Sequence, residues 1–138
     1  AWNLAVGNPL AYYSTTIPVI YSPQFYDRKA DWMNQRKDLL TKTAFAYKPF
    51  LDSMVRLTNS ANNHDVVNEL SKITVRTLVI GSEQDHITPL EEQKLIVKLM
   101  PNAELVILPE TGHASFYERP LLFTSLVTGF INADEVVV

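Results

Sequence analysis

The sequence of 138 residues contains no cysteine. This absence excludes disulfide bonds, zinc sites built from thiolates and a cysteine nucleophile, but it does not assign a cellular compartment. We therefore take the cytoplasm as the default location. Glycine is also scarce, with four residues against eight prolines, whereas the hydrophobic share of 46% and the charged share of 20% are those of an ordinary globular protein. We expect a chain that folds around a real core.

Features typical of several kinds of partner are missing. Lysine and arginine are scattered and the net charge is -3, so there is no basic stripe of the kind that binds nucleic acid. No apolar run approaches the roughly 20 residues that span a bilayer. The chain has three histidines, and their spacing does not match that of a metal-binding motif. They are His64, His86 and His113. We predict no nucleic acid, no membrane and no metal.

Residues 1–72 have a pattern typical of short helices. Their apolar residues recur at helical spacing in stretches that proline interrupts at four positions, Pro9, Pro18, Pro23 and Pro49. The clearest helices are predicted over Asp31 to Lys42 and over Phe45 to Leu57. A further short helix is predicted after Asn63, because asparagine is a good N-cap residue.

From residue 73 the pattern changes to strand, helix, strand and helix. The apolar run Thr77 to Ile80 is typical of a strand that is covered on both faces. Thr88, followed by proline and then by Glu91, predicts a helix with a capping box. A second buried strand is predicted over Glu104 to Leu108. This alternation indicates an α/β fold with two parallel strands and flanking helices.

The last helix is predicted to begin at Pro120. It is amphipathic, and we expect it to bury one apolar face. The residues of that face are Phe123, Leu126, Val127, Phe130 and Ile131.

Two loops follow the carboxyl ends of the predicted strands, where open α/β sheets place ligands and catalytic groups. The first contains Asp85 and the second contains His113. An aspartate can accept the Nδ1 hydrogen of a histidine and stabilise the imidazolium that forms when Nε2 takes a proton. The alternative is structural, with Asp85 capping its own turn and His113 exposed to solvent.

The segments around these two residues point to a known family. TLVIGSEQD, followed by HITP, and PNAELVILPETGHASFYERP before a helix containing GFI, together resemble the C-terminal part of the α/β-hydrolases. In that family the triad runs nucleophile, acid, histidine along the chain. The resemblance implies that Asp85 is the acid, that His113 is the general base and that no cofactor is needed. It also implies a helical cap over 1–72 and a βαβα part of the core over 73–138.

The sequence departs from the family at the nucleophile. The nucleophile turn reads G-x-S-x-G, but the glycines stand at positions 7, 81, 112 and 129, so this spacing does not occur. Ser115 lies two residues after His113 and lacks such a turn, so we expect it to have a hydrogen-bonding or solvent role. The chain also begins with Ala1 instead of methionine, so we expect trimming, an engineered start or a cut precursor.

Two hypotheses follow from this pattern. In the first, the chain is the cap and the acid and histidine half of an esterase-like hydrolase, whose nucleophile and oxyanion hole come from upstream or from another chain. Alone, it would be inactive. In the second, it is a non-catalytic remnant that associates through an uncovered sheet edge, as a homodimer or a swapped assembly.

Aromatic residues are frequent in the first region and have two interpretations. They line a cleft for a small apolar substrate, or they form an ordinary core. The residues concerned are Trp2, Tyr12, Tyr13, Phe25, Tyr26 and Trp32.

Overall fold

The computed structural model describes residues 7–133, which divide into two compact units. The first unit comprises the described residues up to Val19 together with Pro23–Val66. The second comprises Ile20–Ser22 together with the described residues from Val67 onward. Among residues 7–133, no helix combines the length and the apolar character needed to cross a membrane.

The first unit is built from helices. They are α1 (Pro9–Ile20, whose last residue belongs to the second unit), α2 (Pro23–Arg28), α3 (Ala30–Lys42), a 3-10 turn (Ala44–Ala46) and α4 (Lys48–Ala61). Aromatic rings fill much of the core: the rings of Tyr12 and Phe45 meet edge to face with centroids 4.8 Å apart, and Tyr13 donates a hydrogen bond to the carbonyl of Met33 at 3.0 Å. Such offset ring pairs add to the free energy gained from burial alone.

The helix predicted over Asp31 to Lys42 is confirmed and begins one residue earlier. The helix predicted over Phe45 to Leu57 is divided, because a 3-10 turn ends at Ala46 and α4 begins at Lys48 with Pro49 in its first turn. Proline is favoured there because an N–H in the first turn has no intrahelical acceptor, so its absence in proline costs no hydrogen bond. The predicted break at Pro18 is wrong, since α1 continues through it to Ile20. Only Val19 and Ile20 of α1 follow this proline.

The second unit contains the strands. Its elements after Ile20–Ser22 are a 3-10 helix (Val67–Lys72), β1 (Thr77–Ser82), α5 (Leu90–Leu99), β2 (Ala103–Leu108), α6 (Ser115–Glu118) and α7 (Pro120–Asn132). The two strands pair in parallel, from Thr77 opposite Ala103 to Ser82 opposite Leu108. A parallel pair needs a long crossover, which α5 provides. The predicted α/β fold with two parallel strands is confirmed, and the short helix predicted after Asn63 is the 3-10 helix Val67–Lys72.

The last helix, α7, begins at Pro120 as predicted. Arg76, just before β1, holds its far end: the guanidinium donates to the carbonyl of Phe130 at 3.0 Å and lies 4.1 Å from the centre of that ring. Cations near the C-terminal end of a helix satisfy its last carbonyls. Four residues of the predicted apolar face are partly buried, but Ile131 is 67% exposed, so its predicted burial is wrong.

Leu108 ends β2 and is only 1% exposed, whereas Leu121 on α7 is 83% exposed. We expect Leu108→Ala to lower the free energy of unfolding by about 2 to 5 kcal/mol, because it leaves a cavity in the core. The matched change Leu121→Ala should alter it by less than about 0.5 kcal/mol. Urea denaturation of both variants checks this. Equal losses would contradict the position of Leu108 in the core.

Candidate active site

The loops after β1 and β2 are held together by backbone hydrogen bonds that continue the strand pairing. The N–H of Glu83 donates to the carbonyl of Leu108 at 3.0 Å, and the N–H of Gln84 donates to the carbonyl of Thr111 at 2.9 Å. The residues that follow Gln84 and Thr111 in sequence are therefore brought to the same edge of the sheet. Those residues include Asp85 and His113.

The second loop turns sharply at Glu110, whose φ of 54° lies in the left-handed region. Residues other than glycine seldom adopt this conformation, and it needs support from its surroundings. The carboxylate of Glu83 supplies some, because its Oε2 accepts the N–H of Glu110 at 2.9 Å. The buried hydroxyl of Thr111 also donates to the carbonyl of Leu108 at 2.8 Å. The loop that carries His113 thus has a defined backbone path.

The imidazole of His113 contacts the carboxylate of Asp85, with Nδ1 2.9 Å from Oδ2. An ionised carboxylate only accepts hydrogen bonds, so Nδ1 carries the hydrogen and Nε2 is left as the basic nitrogen of a neutral ring. The Asp85 side chain is 7% exposed and the His113 side chain is 41% exposed. The acid is therefore buried, whereas the ring that it orients is accessible to solvent.

Three further groups donate to Asp85. Its Oδ1 accepts the N–H of Ile87 at 2.8 Å and the N–H of Thr88 at 2.9 Å, and its Oδ2 accepts the Thr88 hydroxyl at 2.9 Å. With His113, the carboxylate has four donors. Each of them strengthens as negative charge develops on the carboxylate, so the arrangement favours the ionised form.

These contacts determine the direction in which the pKa of Asp85 moves. Burial alone would raise the pKa, because it removes water from the charged form. The hydrogen bonds from Thr88, His113 and Ile87 together outweigh burial, so the pKa of Asp85 lies below its ordinary value of 3.8. Asp85 is therefore ionised near neutral pH, as the partner of an imidazolium must be.

The predicted capping box at Thr88 is wrong. Helix α5 begins at Leu90 without a side-chain cap, because the Thr88 hydroxyl is directed to Asp85. Glu91 forms a surface ion pair with Lys94 at 2.6 Å. The backbone of Thr88 is contacted by Gln93 and not by Glu91: the side-chain amide of Gln93 donates to the carbonyl of Thr88 at 2.9 Å. Thr88 thus contributes to the site and not to the start of the helix.

The other candidate residues are not brought to this pair. His64 and His86 are exposed. Ser115 is buried at the start of α6, which contradicts the solvent role predicted as one of its alternatives. In the part of the chain that the structure describes, no group of three or more metal-ligating side chains is assembled.

The aromatic residues of the first unit are divided between the two interpretations. Tyr12, Tyr13 and Phe25 are buried core residues. Tyr13 and Tyr26 also line a cavity of about 320 Å³ within this unit, together with polar neighbours such as Lys37. Trp2 lies outside the described residues. A role of this cavity in substrate binding stays a prediction.

Two features were missed by reasoning from the sequence. One is the hydroxyl of Thr88, whose alternative use as a helix cap fitted the local pattern equally well. The other is the buried carboxylate of Glu118, which accepts the N–H of Gly112 at 3.1 Å, one residue before His113. No periodicity or motif spacing distinguishes Glu118 from a surface glutamate.

Comparisons with known proteins agree on one family. The family model described as alpha/beta hydrolase fold matches residues 15–120. A solved structure, MGS-M2, described as an alpha/beta hydrolase enzyme from a Medee basin deep-sea metagenome library, is 53% identical, with a TM-score of 0.90 over 94% of this chain and 48% of that chain.

Two curated relatives carry more specific names. The "Putative carbamate hydrolase RutD" of Pseudomonas savastanoi pv. phaseolicola is 32% identical over 108 residues, which are 76% of this chain and 42% of the relative. The pyrrolizixenacetamide deacetylase of Xenorhabdus hominickii is 35% identical over 72 residues, which are 52% of this chain and 27% of the relative. The chain thus spans less than half the length of these relatives.

The contribution of Thr88 to the acid can be measured directly. Thr88→Val removes one hydroxyl donor from the carboxylate and should raise the pKa of Asp85 towards its ordinary value, because the charged form loses a hydrogen bond. Thr88→Ser keeps the hydroxyl and should leave this pKa nearly unchanged. NMR titration of the Asp85 carboxyl carbon in both variants checks this.

The same change alters the dependence of stability on pH. Because the folded pKa of Asp85 is lowered, its contribution is present above pH 3.8 and is lost as the pH falls through the lowered value. Acid unfolding of Thr88→Val should therefore show a smaller loss from this group than acid unfolding of the wild type. An unchanged pKa in Thr88→Val would contradict the role of the hydroxyl.

Proposed function

This chain belongs to the α/β-hydrolase family, and on that premise we propose that it supplies the acid and the general base of a hydrolase triad, Asp85 and His113. The observation that carries the proposal is the 2.9 Å contact between Nδ1 of His113 and Oδ2 of Asp85. The contact joins a buried acid to an accessible ring. The nucleophile is contributed from outside these 138 residues, upstream or by another chain.

In the proposed reaction, a serine hydroxyl attacks the acyl carbon of the substrate while Nε2 of His113 takes its proton. The imidazolium, held by the Asp85 carboxylate, then returns a proton to the departing alcohol or amine. A water molecule, activated by the same nitrogen, releases the acyl group as the acid. The four hydrogen-bond donors keep Asp85 ionised. It can therefore stabilise the imidazolium of His113 without taking the proton itself. An aspartate nucleophile is the alternative within the same arrangement.

We propose a small apolar substrate with a carboxylic ester or a related acyl bond. The names of the two curated relatives, a carbamate hydrolase and a deacetylase, support an acyl-type bond. The helical first unit is proposed as the cap that selects the substrate, and its cavity, which is lined by both aromatic and polar side chains, supports this assignment. No cofactor takes part in the proposed chemistry.

The proposal is tested on the complete polypeptide that carries this sequence. His113→Ala should lower kcat for a short-chain aryl ester by roughly 10³-fold or more, and Asp85→Asn should lower it by a comparable factor, because both act in one proton transfer. His64→Ala is the matched control, since that histidine is exposed and distant in sequence. It should retain full activity.

The same protein should react with a serine-directed phosphonate, and the 138-residue chain alone should not. Labelling of the chain alone would show that a nucleophile lies within it. Equal activities of the His113→Ala and His64→Ala variants would refute the proposal. An upstream reading frame without a nucleophile turn that contains serine, aspartate or cysteine would exclude the upstream source and leave only a second chain.

A second candidate function is association without catalysis. Among the described residues, each strand pairs with only one other, and large apolar side chains such as Leu121 and Ile107 are exposed. An open strand edge is a template for pairing with another chain. The upstream half of the hydrolase and a second copy of this chain are the proposed partners. A monomeric mass in light scattering would contradict pairing between copies.

A further inference from the structure

A second buried carboxylate lies close to the proposed site. Glu118 is 8% exposed and is located at the end of α6. Its Oε1 accepts the N–H of Ser22 at 2.8 Å and the N–H of Gly112 at 3.1 Å, and its Oε2 accepts the Ser22 hydroxyl at 2.6 Å. Glu118 therefore joins the loop of His113 to a segment 96 residues earlier in the sequence.

The segment Ile20–Ser22 contacts the same loop through its backbone. The N–H of Ala114 donates to the carbonyl of Ile20 at 3.2 Å. On the other side of His113, a Cβ on Gly112 would lie 2.7 Å from both the carbonyl oxygen of Ile20 and the nitrogen of Ser22. Only glycine permits an approach this close, because the Cβ of any other residue would clash with these two backbone atoms. Both neighbours of His113 are thus held against one short segment.

We propose that Glu118 is a positioning residue for His113 and that it acts through Ser22 and Gly112. The carboxylate fixes the residue before His113, while the carbonyl of Ile20 fixes the residue after it. The backbone of His113 is then held on both sides, and its ring is directed to Asp85 at 2.9 Å. The expected effect of Glu118 on catalysis rests on the proposed function, whereas its expected effect on the contact between the His113 ring and Asp85 does not.

The pattern of donors explains why a carboxylate is suited to this position. Both backbone N–H groups donate to the same oxygen, Oε1, and only the Ser22 hydroxyl uses Oε2. Glutamine can keep both backbone contacts through its amide oxygen, and its NH2 group can donate to the Ser22 oxygen. Leucine, of similar shape, can keep none of them. Glu118→Gln is therefore the conservative variant and Glu118→Leu the disruptive one.

A residue that only stabilises the fold would give a different result. Its loss would lower the free energy of unfolding, while the folded molecules would keep their kcat and their contact between His113 and Asp85. A positioning residue must also change the ring. The Nδ1 proton of His113 reports on the ring in an NMR spectrum, because a hydrogen bond to a carboxylate shifts this resonance downfield.

The NMR measurement uses the 138-residue chain, and the kinetic measurement uses the complete polypeptide. Glu118→Leu should weaken the downfield proton signal and lower kcat by about 10²-fold with little change in KM, because a small misplacement of a catalytic group is costly. Ser22→Ala loses one of three hydrogen bonds and should lower kcat about fivefold. Glu118→Gln should remain within about threefold of the wild type.

Glu92→Leu is the matched control, because it makes the same chemical change at an exposed position of α5. It should leave the proton signal and kcat unchanged. If Glu118→Leu does not fold, Ser22→Ala and Glu118→Gln decide the question. A wild-type signal and wild-type kcat in Ser22→Ala, or an equal loss of both in Glu118→Gln and Ser22→Ala, would overturn the proposal.

The two proposals fail in different ways. If the complete wild-type protein hydrolyses no ester and binds no phosphonate, the proposed function is wrong. The positioning role is then decided by the His113 proton signal of the chain alone. If the wild type is active but the Glu118 and Ser22 variants change only stability, the positioning role is wrong and the proposed function stands.

Discussion

The parallel pairing of β1 and β2 is the constraint on which the rest of the second unit depends. The pairing is in register from Thr77 opposite Ala103 onward, and it continues past the strand ends through the N–H groups of Glu83 and Gln84. Two loops that are separate in sequence thereby start from fixed and adjacent points. A shift of register by one residue would exchange the faces of the strands and separate the two loop side chains. Backbone hydrogen bonds thus bring the two loops together, and the carboxylates of Glu83 and Glu118 add contacts to the backbone of the second loop.

The buried carboxylates of Glu118 and Asp85 are stabilised by different kinds of hydrogen-bond donor. Removing a charged group from water is costly unless hydrogen bonds replace the water. Glu118 accepts only from the backbone and from a buried hydroxyl, all of them neutral donors. Asp85 has one donor, the imidazole of His113, that can itself take up a positive charge. The donors of Glu118 therefore keep a constant charge, whereas one donor of Asp85 can become positively charged.

Much of this architecture could be predicted from the sequence, and the exceptions have physical reasons. The strands, the last helix and the loop positions of Asp85 and His113 follow from apolar runs and from the turn residues that end them. Thr88 was assigned to the wrong partner because a hydroxyl can satisfy a helix N–H or a carboxylate, and only the tertiary structure decides which. Glu118 was missed because its partners in Ile20–Ser22 are remote in sequence, and local patterns carry no information about such contacts. The catalytic roles of Asp85 and His113 remain predictions.

The hydrogen bonds between Ser22 and Glu118 also affect the folding of the chain. These residues are 96 positions apart, and the three residues of Ile20–Ser22 are flanked on both sides by parts of the first unit. Closing so long a loop costs chain entropy that local helices do not pay. During synthesis, Ser22 leaves the ribosome long before Glu118 exists. The hydrogen bonds from Ser22 and Gly112 to Glu118 can therefore form only after residue 118 has been synthesised, whereas the helices of the first unit need only local contacts.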